Sequence, residues 1–167
     1  TMKACPNVRT HEMSMLRGAA IEAASIVGQA VAGPEGEQVS LYANDASEIM
    51  EFATSLLSSG QTDVVPMDQL FAACARIAAV MGSQYVPFMS SILPHILKRA
   101  TEKLEVSITD SEASSNKSNE DEDGGYSINI PGMGLKKIKI NTTQLEEKAN
   151  SARAVYEHAR SLGKDFG

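Results

Sequence analysis

The sequence predicts an all-α fold: a stack of antiparallel helical hairpins interrupted by one acidic insertion. Three observations carry this reading. Apolar residues recur at three-and-four spacing through five segments, the pattern of one buried helical face. Gly33, Gly82 and Gly163 close three of those segments at comparable intervals. Between 105 and 142 the helical period disappears. With 43% hydrophobic residues, only 5% aromatic and no Trp among 167, the core must be built from Ala, Leu, Ile, Val and Met. Such small side chains favour close helix packing.

Residues 1–12 are polar, contain Pro6 and show no period, so they read as a disordered lead-in. From Met13 to Ala32 the residues Leu16, Ala20, Ala23, Ala24, Val27, Ala30 and Val31 trace an apolar face, and Gly33-Pro34 stops the helix. Gly18 and Gly28 inside it each cost about 1 kcal/mol relative to Ala. Close approach of a neighbouring helix would offset that cost. Val39 to Ser58 carries Tyr42, Ala46, Ile49, Met50, Ala53, Leu56 and Leu57 on one face, completing a hairpin over 13–59.

A second hairpin spans 66–104. Its first helix shows Met67, Leu70, Phe71, Cys74, Ile77, Ala78 and Met81, and Gly82 ends it. Its second shows Tyr85, Met89, Ile92, Leu93, Ile96, Leu97, Ala100 and Leu104, with Pro94 removing one backbone hydrogen bond and introducing a kink. A lone hairpin cannot hide both faces, so similar pairs must stack on it.

The insertion 105–142 begins with a Ser, Asn and acidic stretch too polar to repay its ordering entropy. It ends in Glu120, Asp121, Glu122 and Asp123. Tyr126–Ile130 and Leu135–Ile140 then alternate around Pro131-Gly132-Met133-Gly134, the pattern of a small β-hairpin, 126–140, laid over the helices. Thr143-Gln144-Leu145-Glu146 reads as a capping box opening a last helix, 143–163. Its stripe is Leu145, Ala149, Ala152, Val155, Tyr156, Ala159 and Leu162. Gly33 to Gly82 is 49 residues; Gly82 to Gly163 is 81, or 43 once the 38 residues of 105–142 are set aside. Both lie near the ~40–47 of HEAT-type repeats. The last helix then opens a third repeat, and its free face awaits a further helix.

A net charge of −6 argues against nucleic-acid binding, which needs a clustered basic face. The only basic clump, Lys136, Lys137 and Lys139, suits protection of a strand edge. Cys5 and Cys74 make neither a disulfide framework nor a metal set, and suit a reducing compartment. No apolar run approaches the roughly 20 residues of a membrane span. His11, His95 and His158 fall in distant segments without ligand or triad spacing, and Gly132-Met133-Gly134 lacks a nucleotide-loop context. No catalytic residue, metal or cofactor is expected.

Leu16-Arg17-Gly18, Ile21-Glu22, Ser25, Gly28, Val31 and Asp45-Ala46-Ser47-Glu48-Ile49-Met50 resemble a HEAT-repeat pair of importin-beta-type nuclear transport receptors, in the karyopherin beta-3 (importin-5) branch. Ala75-Arg76-Ile77, Gly82, Tyr85-Val86-Pro87, Leu93-Pro94 and Leu97-Lys98 resemble the next repeat. Asp121-Glu122-Asp123-Gly124 with Tyr126 is similar to the acidic insertion of that branch, and Leu145-Glu146-Glu147-Lys148 to the opening of the following repeat. The resemblance covers about 13–166. It implies an internal piece of a superhelical receptor that shuttles between cytoplasm and nucleus. Such receptors bind basic nuclear localisation signals of cargo proteins, Ran-GTP and FG-repeat nucleoporins, without membrane insertion. The alternative is a HEAT-repeat scaffold unrelated to transport. Two candidate sites follow. The acidic run Glu120–Asp123 sets up a negative potential for a basic partner. On the second helix of the first pair, which lines the concave surface in a HEAT superhelix, Asn44, Glu48 and Glu51 are candidate cargo contacts, with Ser47 and Ser55 beside them.

Overall fold

A computed structural model describes residues 6–33, 38–61, 63–110, 125–132 and 134–166. Five helices, α1 (Pro6–Ala32), α2 (Val39–Ser59), α3 (Met67–Met81), α4 (Val86–Thr101) and α5 (Thr142–Leu162), form two rows. In the first row α3 lies between α1 and α5; in the second α2 lies beside α4, and each row packs on the other. This is the open stack expected of successive helical pairs. The all-α reading therefore holds, with one small sheet added.

The central helix is the most thoroughly covered. All seven residues of its stripe are buried, as are Ala73, Ala75 and Val80 outside it, because α3 has neighbours on both sides in its own row. Around it lies one apolar core that takes in Tyr42, Met50, Phe71, Ile77, Ile92 and Ile96. At the close of α3, Gly82 has φ 54° and ψ −128°, a backbone that favours glycine, and donates its amide to the Ala78 carbonyl. A short 3₁₀ turn, Gly82–Tyr85, then leads into α4. Gly163 repeats this arrangement with φ 52° and ψ −118°, its amide on the Ala159 carbonyl and a 3₁₀ turn Gly163–Asp165 following.

The outer helices depart from the sequence reading. α1 starts at Pro6, so the lead-in expected over 1–12 is already helical from that residue, which suits the first turn because its missing amide has no partner to lose. Its predicted stripe also faces outward: Leu16, Val27 and Val31 are exposed, Val27 by 60%, whereas Ser14, Gly18, Ser25, Gly28 and Ala32 are buried. The physical reason is steric. A β-carbon at Gly28 would collide with the Tyr42 ring, and one at Gly18 with Gln69 and Pro66, so only the small-residue face admits neighbours this closely. α1 is thus equipped to be covered on both sides. α5 behaves alike, burying Ser151, Ala154, His158 and Leu162 while Leu145, Ala149, Ala152 and Tyr156 stay bare, Tyr156 by 61%.

The α5 cap also differs. Asn141 is the N-cap, its side-chain oxygen accepting the Gln144 amide at 3.2 Å, and Thr143 sits inside the first turn. Asparagine is at least as good a cap as threonine and arrives first in the chain. Among its described residues the insertion holds three strands where two were expected: β1 (Val106–Asp110), β2 (Gly125–Ile130) and β3 (Gly134–Ile140), ordered β1-β3-β2 and antiparallel throughout. Nor is the sheet laid over the helices. It is rooted where Glu105 accepts the Asn141 amide at 3.4 Å and donates its own to the Gln144 side chain at 3.0 Å, and beyond that root, among the described residues, it shares no broad contact with the helical rows.

Candidate partner-binding surface

The outward strip of the second row begins on α2. Asn44, Glu48, Glu51 and Ser55 are all exposed, each roughly opposite the Tyr42, Ala46, Met50 and Ala53 face that the helix buries. Ser47 is different: it is half-buried and donates to the Ala43 carbonyl at 2.9 Å, which removes it from this strip. On α4 the corresponding exposed positions are Ser90, Pro94, Lys98 and Thr101. Pro94 lacks an amide, so its turn leaves the Ser90 carbonyl without its usual intrahelical donor. The strip is therefore acidic on α2, whereas on α4 it carries the hydroxyls of Ser90 and Thr101 and one cation, Lys98. The other predicted site, Glu120–Asp123, lies outside the described residues.

The two seams between successive pairs hold polar chemistry that periodicity does not reveal. At the first, Arg76 of α3 donates to Glu22 Oε1 at 3.0 Å and to Ser25 Oγ at 3.2 Å on α1, while the Ser25 hydroxyl donates to the Glu22 carbonyl at 2.7 Å. An arginine beside an apolar stripe was the available signal. Arg76 and Glu22 join Gln69, Arg153 and Glu157 around an open furrow of about 540 Å³ that runs over Ala72, Ala75 and Ala79 of α3 between α1 and α5. The two glutamates on its walls each stand beside an arginine, Glu22 with Arg76 and Glu157 with Arg160 at 3.9 Å.

At the second seam His158 is buried, its Nδ1 2.7 Å from the Ala154 carbonyl and its Nε2 3.0 Å from the Tyr85 hydroxyl. A carbonyl only accepts, so Nδ1 carries the proton and Nε2 accepts from Tyr85. Burial lowers the His158 pKa below its ordinary value, against the opposing pull of the Ala154 carbonyl. Next along the same chain of contacts, burial pushes the Cys74 thiol up to about 12, only partly offset by the adjoining Tyr85 hydroxyl. Such a thiol stays protonated, the reverse of an activated nucleophile. Tyr85 is likewise raised, by burial first and then by Cys74. Nearer solvent, Arg99 of α4 pairs with Glu147 of α5 at 2.8 Å. Among the described residues no group of three His, Cys, Asp or Glu side chains converges as a metal site, and no helix is long and apolar enough to cross a membrane.

No family model matches the chain. Over 135 residues it is 28% identical to a probable importin-5 homolog of Dictyostelium discoideum, a match spanning 81% of this chain and 12% of that protein. Among solved structures it is similar to Kap121p bound to Ste12p, with a TM-score of 0.64 and 20% identity over 90% of this chain and 13% of the other. It is also similar to Kap121p bound to Nup53p, with a TM-score of 0.65 and 20% identity over 92% of this chain and 14% of the other. The chain therefore corresponds to a small part of each protein it matches.

Proposed function

From a chain that is a HEAT-repeat segment of the importin-beta type, in the karyopherin beta-3 branch, we propose a role in reversible protein binding during nuclear import, with no catalysis. The observation that carries the reading is the open two-row stack, with Asn44, Glu48, Glu51 and Ser55 strung along the outward strip of α2. An extended basic peptide finds carboxylates there for its ammonium or guanidinium groups. Glu48 and Glu51 are the first contacts, Asn44 supplies a neutral acceptor, and the acidic run Glu120–Asp123 steers the basic segment electrostatically. Likeness to Kap121p solved with Ste12p and with Nup53p supports protein segments as ligands. In the parent receptor Ran-GTP releases the cargo, FG-repeat nucleoporins guide passage through the pore, and the protein shuttles between cytoplasm and nucleus.

Two measurements test this. Full-length protein should be retained by GTP-loaded Ran in preference to GDP-loaded Ran; equal retention favours the scaffold reading. Charge reversal of Glu48 and Glu51 to Lys should weaken binding of a lysine-rich localisation peptide by about tenfold, as loss of one or two charge-assisted contacts predicts. Unchanged affinity removes α2 from the cargo surface.

A further inference from the structure

The sheet presents one largely apolar face that is partly exposed. In the β1–β3 register Val106 stands opposite Ile140 and Ile108 opposite Ile138, and in β2–β3 Ile128 stands opposite Lys136. Partners across an antiparallel ladder share a face, and so do residues two apart, so these five apolar side chains lie together, with Lys136 on the same face. Val106, Ile108 and Ile128 are 51%, 60% and 48% exposed. Ser107 points the opposite way. A three-stranded sheet is stable when its apolar face packs on something, and no helix of the described residues does so broadly.

The repeat itself indicates what arrives there. The Gly163 turn copies the Gly82 turn in its backbone angles, its amide-to-carbonyl bond and its 3₁₀ continuation, and Phe166 packs on the same core as Tyr85. After Gly82 the chain reverses and α4 runs back to Thr101, close to the point at which β1 departs. A helix reversing after Gly163 in the same way runs back along α5 toward Asn141, where the sheet is rooted by Glu105 and by Lys148 donating to the Glu102 carbonyl at 3.0 Å. The relatives are long enough to supply it, since the match spans 12% of the importin-5 homolog.

We propose that Val106, Ile108, Ile128, Ile138 and Ile140 form the seat for the far end of the helix that follows Phe166 in the parent protein, together with its outgoing connector. The sheet then closes the edge of the next repeat rather than standing free.

The experiment uses the full-length parent with Cys5→Ser, carrying either Ile108→Cys or, on the opposite face, Ser107→Cys. Alkylation is followed on the peptide containing 106–110 by mass spectrometry. Ile108→Cys should react about tenfold or more slower than Ser107→Cys, at every protein concentration and with nothing added. Equal rates overturn the proposal. So does protection that appears only at high concentration, which makes a second copy the occupant, or only on adding a basic peptide or Ran, which makes a partner the occupant. As an independent reading, Ile128→Asp should speed amide exchange at the far end of the helix after Phe166. Unchanged exchange there overturns the proposal as well.

Discussion

At Gly28 the absence of a side chain is what lets α1 and α2 meet. A methyl group there would occupy the space of the Tyr42 ring, which is itself buried, so Gly28→Ala gains about 1 kcal/mol of helix propensity and meets a larger steric penalty. The expected net loss is about 1–3 kcal/mol, read as a lower urea midpoint at unchanged slope. His158 gives a pH prediction. Burial holds its folded pKa below the ordinary 6.5, so below that pH the unfolded chain binds the proton more readily. Stability from this site is full above 6.5 and falls as pH drops through it. Urea midpoints at pH 7.5 and 5.5 should therefore differ less in His158→Gln than in the native chain, with His11 and His95 common to both. Of these two residues the sequence reading anticipated only the first. A glycine within a helical stripe implies close approach, but nothing in the spacing of His158 tells that α5 turns it toward Tyr85.

Among the elements, the middle ones were legible and the outer ones less so. The stripes of α2 and α3 are buried as read, Ile49 only partly, because helices with partners on their core side have only one way to arrange amphipathic residues. α1 and α5 carry a second apolar or small-residue face, and periodicity alone cannot tell which of two faces meets the neighbours present. β1 was missed for another reason: Val106-Ser107-Ile108 is too short an alternation to distinguish from a connector until β3 pairs with it. The N-cap of α5 supplies the prediction at this scale. Asn141→Ala removes the acceptor of the Gln144 amide and should cost about 1 kcal/mol, seen first as faster amide exchange at Gln144 and Leu145. Thr143→Ala, altering the expected capping box, should change exchange there far less.

For the molecule as a whole, the bare faces of α1 and α5 leave the helical stack open at both ends of one row. Both faces are rich in Leu, Val, Ala or Tyr, and they lie on the two ends of one row. If longer chains continue the stack, Val27 is a surface residue in this segment and a core residue in its parent. Val27→Asp should then be nearly neutral in the 167-residue chain, where the carboxylate meets water, and should cost the parent about 2 kcal/mol or more for burying a charge. Tyr156→Asp should behave the same way at the other end. Thermal unfolding of both variants in both lengths makes the comparison. A domain closed around a single centre would show the same small change at either length, whereas a stack open at both ends makes the penalty depend on what has been added beyond it.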